Sequence, residues 1–523
     1  MTSTGIALAP LRSNQEIEVK LSAAATFKLP DLTSVRGVSA VSEPVVYDLD
    51  ATYWDTAALD LLHSRITLRR RVGGKDAGWH LKLPQGALGD DVGGRTELTF
   101  DLSDELPAEL AAIVRGVSRS AALQPIATIR TTRTVREAAD STGQALVEIA
   151  DDAVRTEVVD NAGVSTGKSG ETCWREVEVE LISGPEDTVR LVAGRLTKAG
   201  ARAAAIPSKL SGAVAGAGRA PLRSTPTAPL NRNSRASDVV LRGIARHRDA
   251  LVLADVGLRL GSGHALHASR AAGRRLRSAL LVFRSLFDGD QVDRLLKKLK
   301  AMDQVLIPVR DADVLLARLT SELVEEPLEF AEPAEVLVRR ALADRSAHAW
   351  NSVQSWLETK RLIRLIQALD AFVANPPLDA SQHGTAGRLL PAMVSAAWSR
   401  VRKLADTALA DPDDAAALER VRRAAKSVRY AAELAGTALG DDPVVFAAAV
   451  EEIQEVLGEH RNALLVGEFL VELSGDVRTS GRAGFLYGRL HSAADATVLS
   501  AVDDFADAWD RADDGDLIGW LRS

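Results

Sequence analysis

The chain has 523 residues, of which 46% are hydrophobic and 26% are charged. This composition is typical of globular proteins and excludes a chain that is disordered throughout, and the length predicts more than one domain. Acidic residues (71) outnumber Lys and Arg (64), and the resulting net charge of −7 disfavours a generally basic nucleic-acid binder. The single cysteine, Cys173, excludes an intramolecular disulfide. The first residues do not resemble a signal peptide and no apolar run reaches the ~20 residues of a membrane span, so we expect a cytoplasmic protein.

Segments that alternate hydrophobic and polar residues fill the region from residue 15 to residue 207. They predict β-strands, with turn signals such as Gly73–Gly74 between them, and so favour an antiparallel sheet or barrel. Residues 106–117 and 186–199 predict short amphipathic helices beside the strands. The predicted strands are Glu16–Leu21, Ile66–Val72, Trp79–Leu83, Arg95–Leu102, Ala127–Glu137, Ala145–Asp152 and Trp174–Ile182.

The composition changes twice after residue 207. Residues 211–237 are rich in Gly, Pro, Ser and Thr and contain few large apolar side chains, which predicts a flexible linker. Residues 238–523 are rich in Ala, Leu, Arg and Glu with helical periodicity, and they predict an all-α bundle. We therefore divide the chain into a first domain at 12–212, a linker at 213–237 and a helical domain at 238–521.

The helical half contains an internal repeat that carries positive charge. Duplicated four-helix units are the natural interpretation of this repeat. A single charged stripe is most simply a solvated helix face, but two stripes in register, without interleaved Glu, favour a polyanionic ligand. Aromatic residues make up only 4% of the chain, so phosphate is favoured over stacked bases, and Arg binds phosphate bidentately. The aligned residues are Arg270 with Arg422, Arg274 with Lys426, Arg277 with Arg429, and Arg310 with Arg461.

This half resembles the CHAD domain, a helical family that is linked with inorganic polyphosphate. The resemblance rests on the pattern H-x-x-R-x-x-x-R-R-x-R from His267 to Arg277 and on the V-R-D-A-D motif around Arg310. In the second copy, Glu419 stands where a histidine often stands and Ser427 replaces a basic residue. The resemblance implies polyphosphate binding by His267, Arg270, Arg274, Arg275, Arg277, Arg310, Arg422, Arg423, Lys426 and Arg429.

In the first half, the polar members of the strand alternation are mostly charged. Such a face is either exposed on an open sheet or lines a water-filled barrel, and its repetition with both signs favours the barrel. Parallel carboxylates suit hard divalent cations and basic residues neutralise phosphates, so the pattern indicates metal-assisted phosphoryl chemistry. No Gly-rich P-loop motif occurs in the sequence. The residues that share a face are Glu16, Glu18 and Lys20; Arg69 and Arg71; Arg95 and Glu97; Glu148 and Asp152; and Glu176, Glu178 and Glu180.

Residues 15–212 resemble the CYTH, or triphosphate tunnel metalloenzyme, superfamily. The resemblance rests on the E-x-E-x-K motif from Glu16 to Lys20 and on a series of charged residues in family order. It implies an eight-stranded antiparallel tunnel, with the missing strand near Val45–Asp55, that binds a triphosphate with Mg²⁺ or Mn²⁺. It also implies catalytic roles for Glu16, Glu18 and Lys20, metal binding by Glu16, Glu18, Asp152, Glu178 and Glu180, and substrate binding by Lys20, Arg69, Arg71, Lys82, Arg95, Arg130, Arg133 and Lys209.

Together these patterns predict an α+β multidomain protein with a β tunnel followed by a helical bundle. We expect the tunnel to be a metal-dependent hydrolase of inorganic triphosphate or a related triphosphate compound, and the helices to bind polyphosphate. Three alternatives stay open: a non-catalytic polyphosphate-binding scaffold, adenylate cyclase or thiamine triphosphatase activity in the tunnel, and RNA binding by the basic helices. We expect no membrane partner, and a cytoplasmic location that includes association with polyphosphate granules.

Overall fold

The computed structural model describes residues 12–84, 87, 95–158, 172–204, 208–220, 228–326, 328–379, 383–476 and 479–522, without the side chains of residues 12–15, 95, 328–330 and 333. The chain divides into two compact units. The first unit comprises residues 2–224 with 253–265, and the second comprises residues 225–252 with 266–523.

The first unit combines an antiparallel sheet with short helices. Every predicted strand is present, and a further strand occupies Val45–Asp55 as expected. The strands are β1 (Arg12–Glu16), β2 (Glu18–Ala23), β3 (Ala40–Val41), β4 (Val45–Asp55), β5 (Thr67–Val72), β6 (Gly78–Leu83), β7 (Arg95–Phe100), β8 (Gln124–Ala139), β9 (Ala145–Val158), β10 (Thr172–Leu181) and β11 (Arg202–Ala203). The helices are α1 (Asp60–His63), α2 (Ala108–Ile113), α3 (Asp187–Lys198) and α4 (Lys209–Gly216).

The strand order brings both sides of the sheet to one segment of the chain. The order is β1-β7-β6-β5-β4-β8-β9-β10-β2-β11, and β3 pairs with β8. Only Ile17 separates β1 from β2, yet β1 pairs with β7 while β2 pairs with β10. The Leu181 amide donates to the Ile17 carbonyl at 2.9 Å. The N-terminal segment therefore lies beside two strands that are far apart in the sheet order.

The alternation of the strands separates apolar from charged side chains. Val177 and Val179 are fully buried and belong to a core that includes Leu21 of β2 and Val192 and Leu196 of α3. Each such side chain contributes about 1.5–3 kcal/mol when it is fully removed from water. Because neighbouring residues of a strand point to opposite faces, the acidic residues of β10 point away from α3. The charged face is thus the one that α3 does not cover.

Helix α4 corrects the predicted linker. Its residues Leu210, Ala213 and Val214 are buried and pack with Tyr53 and Val154, so the chain is still part of the first unit at residue 216. Small residues such as Ala and Gly are typical of linkers, but they also let a helix pack closely against a sheet. The expectation of a flexible linker from residue 213 is therefore wrong for residues 213–216.

The second unit is helical, as predicted. In α11, for example, Val421, Ala425, Val428 and Ala432 are buried at helical spacing. No helix in the described part of the chain has the length and hydropathy of a membrane span. The remaining helices are α5 (Ala236–Arg259), α6 (Gly263–Val282), α7 (Gly289–Val324), α8 (Leu328–Glu358), α9 (Arg361–Ala374), α10 (Ala386–Ala410), α11 (Ala415–Leu439), α12 (Asp442–Ser474) and α13 (Gly481–Ala512). The end of α5 and the start of α6, within residues 253–265, belong to the first unit.

Two glycines with the same backbone conformation offer a matched test of the sheet. Gly73, after β5, has a φ of +85°, and a Cβ atom there would lie 2.2 Å from the Asp48 carbonyl oxygen. Gly143 has a φ of +86° but open space around it. We expect Gly143→Ala to cost only the left-handed strain of about 1–2 kcal/mol, and Gly73→Ala to cost more because backbone must also move. Calorimetric Tm values of both variants test this order, and equal Tm losses would contradict it.

Candidate functional site

Glu178 of β10 lies at the centre of a network of charges on the uncovered face of the sheet. Its Oε1 atom lies 3.0 Å from Lys20 Nζ and 2.9 Å from Lys209 Nζ, and its Oε2 atom accepts a hydrogen bond from Arg133 Nη2 at 2.6 Å. Burial favours a protonated Glu178, but Lys209, Lys20 and Arg133 outweigh it and lower the pKa of Glu178 well below its ordinary value. Strands β2, β8 and β10 and helix α4 therefore converge on one carboxylate.

An acidic trio surrounds the same point. One carboxylate oxygen from each of Asp152, Glu176 and Glu178 lies within 4.8 Å of the others, and all three residues are buried. Arg133 binds Asp152 bidentately, with Nε donating to Oδ1 at 2.8 Å and Nη2 donating to Oδ2 at 2.7 Å. Carboxylate oxygens at this spacing are the ligands that hard divalent cations prefer. The chemistry of the trio therefore fits a metal such as Mg²⁺ or Mn²⁺.

A second group of charges includes the first glutamate of the E-x-E-x-K motif. Lys82 Nζ lies 2.7 Å from both carboxylate oxygens of Glu16 and 3.7 Å from Glu97 Oε1. Arg69 reaches Glu97 Oε1 and Tyr53 Oη, both at 3.5 Å. These contacts bring β1, β4, β5, β6 and β7 together through side chains on the charged face.

The electrostatics connect the two groups. Burial and the carboxylate of Glu16 raise the pKa of Glu180 to about 7, with smaller contributions from Glu18 and Glu148. Burial and the guanidinium groups of Arg69 and Arg133 lower the pKa of Arg71 to about 9. Arg71 also pairs with Asp76. Charged side chains of the two groups are therefore close enough to shift one another's pKa values.

Most of the residues predicted to line the tunnel lie in these two groups of charges, and Arg95 and Arg130 are the two exceptions. The side chain of Arg95 lies outside the described part of the structure, so only its backbone pairing with Glu16 is known. Arg130 is 57% exposed and faces Asp50 and Glu157, away from the network. Arg130 and Arg133 are three residues apart, and a strand points residues at odd spacing to opposite faces. The structure therefore does not support phosphate binding by Arg130 in the tunnel. The residues that it brings together are Glu16, Glu18, Lys20, Arg69, Arg71, Lys82, Arg133, Asp152, Glu178, Glu180 and Lys209.

Sequence reasoning did not select three further members of the site. Glu176 completes the acidic trio, Tyr53 accepts from Arg69, and His80 Nδ1 lies 3.0 Å from Glu97 Oε1. Glu176 was visible in the sequence because it shares the period of Glu178 and Glu180. Tyr53 lies on the strand that was only placed approximately, so its face was not predictable.

The helical unit contains a separate cluster of cations. Burial and the guanidinium groups of Arg422, Arg274 and Arg310 lower the pKa of Lys426 to about 7. Burial, Arg274 and Arg310 likewise lower the pKa of Arg270 to about 10. Arg274 Nε is buried with no hydrogen-bond partner among the described residues. Helices α6, α7 and α11 thus gather five cations that repel one another, which is the arrangement an anion would stabilise. We call Arg270, Arg274, Arg310, Arg422 and Lys426 the cation cluster.

Several basic residues of the predicted stripes, including Arg422 of the cation cluster, are paired with acids. Glu433 binds both Arg275 and Arg429, and Glu419 binds both Arg422 and Arg423. Arg277 lies 3.9 Å from Asp303. The expectation that neither stripe has interleaved Glu is therefore wrong for the second copy, because Arg429 and Glu433 form an i,i+4 pair. Asp313 lies close enough to His267 for this histidine to oppose the rise that burial causes in the pKa of Asp313.

The two copies contact each other in a reciprocal way. Arg310 Nη2 of α7 donates to Asn462 Oδ1 of α12 at 2.7 Å, and Arg461 Nη2 of α12 lies 4.0 Å from Asp311 Oδ2 of α7. Each copy therefore offers its Arg to the residue that follows the matching Arg in the other copy. Arg310, a member of the cation cluster, is held in place by this exchange.

Both parts of the chain are similar to known proteins. Residues 14–200 match the family model of the CYTH domain, and residues 242–471 match that of the CHAD domain. The uncharacterized protein Rv2226 of Mycobacterium tuberculosis (strain H37Rv) is 33% identical over 497 residues, which cover 91% of this chain and 92% of the relative. The structure of PptA from Streptomyces chartreusis is 20% identical with a TM-score of 0.46, covering 53% of this chain and 99% of that one. The CHAD domain from the plant Ricinus communis is 22% identical with a TM-score of 0.42, and the match covers 55% of this chain and 95% of that one.

Proposed function

Since the chain belongs to the family in which a CYTH domain is followed by a CHAD domain, we propose that its first unit hydrolyses inorganic triphosphate with a divalent metal and that its helical unit binds polyphosphate. CYTH domains belong to triphosphatases and cyclases and depend on metal. The observation that carries the proposal is the convergence of Lys20, Arg133 and Lys209 with an acidic trio on one face of the sheet.

The charged face becomes the wall of a tunnel if β1 and β2 act as one strand that is interrupted at Ile17. That strand then hydrogen-bonds to β7 on one side and to β10 on the other, and eight strands close the cylinder. The contact of Lys82 with Glu16 and the effect of Glu16 on the pKa of Glu180 support this closure, because they span the same junction.

The residues inside this tunnel divide by chemistry. Glu16, Glu18, Asp152, Glu178 and Glu180 are the candidates to hold the metal, and Glu176 adds a further ligand to this set. When bound, the metal supplies charge neutralisation at the phosphate oxygens and a more acidic water. The basic residues hold the phosphate chain and neutralise the charge that develops during its cleavage; they are Lys20, Arg69, Arg71, Lys82, Arg133 and Lys209.

The cation cluster supports the second half of the proposal. Of the five cations, Arg422 pairs with Glu419 and Arg310 pairs with Asp311, so the cations still outnumber these acids. Arg274 Nε is buried with no hydrogen-bond partner among the described residues, and phosphate groups would supply the missing negative charge. Helices α5–α8 and α10–α13 are the proposed four-helix repeat, and the reciprocal contacts of α7 with α12 support it. His267, Arg275, Arg277, Arg423 and Arg429 extend the proposed surface for a longer chain, with the acids Glu419 and Glu433 as competitors. We propose in addition that this unit attaches the chain to polyphosphate granules and that the protein is cytoplasmic.

A phosphate-release assay tests the proposed activity. We expect the purified chain to hydrolyse tripolyphosphate in the presence of Mg²⁺ or Mn²⁺ and to lose this activity with a chelator. ATP and thiamine triphosphate are assayed in parallel, and faster turnover of either, or cyclic AMP formation from ATP, would replace the proposed substrate. If wild-type and Glu18→Ala proteins are equally inactive on all three compounds while both bind long-chain polyphosphate, the protein is a scaffold without catalytic activity.

A further inference from the structure

Lys209 occupies the point at which the acidic trio would hold a cation. Its Nζ atom lies 2.6 Å from Glu176 Oε1, 2.9 Å from Asp152 Oδ2 and 2.9 Å from Glu178 Oε1. The Lys209 side chain is only 10% exposed. Burial alone would lower the pKa of Lys209, but the three carboxylates raise it above its ordinary value, so the ammonium group is charged. A cation of the chain itself therefore fills the trio.

The acidic trio is surrounded by cations of the chain itself. Asp152, Glu176 and Glu178 carry three negative charges, and the three cations in contact with them, Lys20, Arg133 and Lys209, carry three positive ones. Glu18 adds a fourth negative charge, because its Oε1 atom lies 3.3 Å from Lys20 Nζ. A divalent ion at the centre of the trio would leave one uncompensated positive charge and would lie against the Lys209 ammonium, where like charges repel strongly at low dielectric. Metal binding at the trio therefore requires one of the three cations to leave.

Lys209 is the cation that is placed to leave. Arg133 is anchored on a central strand by a bidentate pair with Asp152, and Lys20 contacts only Glu178 among the trio. Lys209 is the first residue of α4 and reaches all three carboxylates through one flexible stem. A lysine ammonium is a point charge that does not depend on the planar geometry of a guanidinium. Moving Lys209 thus breaks no bidentate contact and empties the centre of the trio.

We propose that Lys209 is a built-in competitor of the metal: its ammonium group holds the acidic trio until metal enters, and a bound triphosphate favours metal entry by giving Lys209 a new anionic partner. The inference rests on the proposed function for the identity of the anion only. Since a coupling between two ligands is reciprocal, triphosphate strengthens metal binding and metal strengthens triphosphate binding by the same factor. The device keeps the metal site closed when no substrate is present.

Mn²⁺ titration of the full chain without substrate tests the competition, with free Mn²⁺ measured by electron paramagnetic resonance. We expect Lys209→Gln to bind Mn²⁺ about tenfold more tightly than wild type, within the usual range of coupling between sites. The matched control is Lys198→Gln, which removes the same charge from an exposed position of α3 and should bind as wild type does. Equal or weaker Mn²⁺ binding by Lys209→Gln would overturn the proposal.

A second measurement uses wild-type protein and so does not depend on the folding of a variant. Acetylation of Lys209 by an amine-reactive reagent, followed by mass spectrometry, should be slow without metal and faster with saturating Mn²⁺, while acetylation of Lys198 stays constant. Unchanged reactivity of Lys209 would refute displacement. Neither readout uses hydrolysis, so a protein that shows displacement but cleaves no triphosphate would refute the proposed activity and leave the competition standing.

Discussion

We expect the Glu178→Gln substitution to lower kcat/KM for tripolyphosphate by at least ~10²-fold, the scale on which enzymes lose rate when one preorganised charge is removed. Glu178 contacts Lys20, Arg133 and Lys209 at once, and it is a proposed metal ligand. The neutral amide of Gln keeps the shape of the side chain but cannot balance these cations or donate a charged ligand. Phosphate release at saturating Mg²⁺ measures the effect.

The same substitution should also destabilise the first unit. Removing one partner from a buried ion-pair network costs about 3–5 kcal/mol, because the remaining charges lose their counterion. The loss of Tm should be partly reversed by phosphate or tripolyphosphate, whose negative charge takes the place of the carboxylate. The matched control is Arg130→Ala, which removes a charge from the opposite face of β8 and should keep both activity and stability. If Arg130→Ala loses activity while Glu178→Gln keeps it, the active site lies on the opposite face of the sheet and the proposed site is wrong.

The strand alternation makes the residues of the charged face predictable, and it also shows that Arg130 belongs to the opposite face. A period of two assigns Glu176, Glu178 and Glu180 to one face without any structure, and the contacts of Glu178 agree with it. The same period places Arg130 and Arg133 on opposite faces of the strand. Phosphate binding by Arg130, which the CYTH resemblance implies, therefore conflicts with the strand period. What the period cannot give is the pairing of distant strands, which decides that Arg133 meets Asp152 and that Lys82 meets Glu16.

Two other features were hidden from the sequence for physical reasons. The CYTH resemblance implies that Lys209 binds the substrate, but its contacts with the acidic trio depend on α4, whose small residues are typical of a linker. In the helical unit, the spacing of Arg270, Arg274 and Arg310 was visible, while the unequal supply of acids was not. Glu419 pairs with Arg422 and Arg423, and Glu433 pairs with Arg429, whereas Arg274 Nε is buried with no hydrogen-bond partner in the described part of the chain. Contacts between helices, rather than the stripe itself, therefore select the cation cluster.

We expect polyphosphate binding to weaken as the pH rises through about 7, because Lys426 then loses its proton. Burial, Arg422, Arg274 and Arg310 together lower its pKa to about 7, so its positive charge is present below that pH and lost above it. Loss of one charged contact to phosphate corresponds to about 1.5–3 kcal/mol, or roughly 10- to 100-fold in Kd. Terminal phosphate groups become more negative over the same range, so the ligand's own titration would strengthen binding and cannot produce this result.

The Lys426→Arg variant is the matched control, because a guanidinium keeps its charge across this range. Its Kd for long-chain polyphosphate should stay nearly constant from pH 6 to pH 8.5 at fixed salt, whereas Lys426→Met should bind weakly throughout. Parallel pH profiles for wild type and Lys426→Arg would show that Lys426 does not contact the phosphate groups.

The effect of Lys426 on the stability of the ligand-free protein has the opposite sign to its effect on binding. The folded chain releases the Lys426 proton at a lower pH than the unfolded chain does, so the ligand-free protein gains stability from this group as the pH rises above 7. Lys426→Met should therefore raise the Tm at pH 6 while it weakens polyphosphate binding. The reason is that the cations of the cluster repel one another in the ligand-free protein, whereas each of them attracts a bound anion.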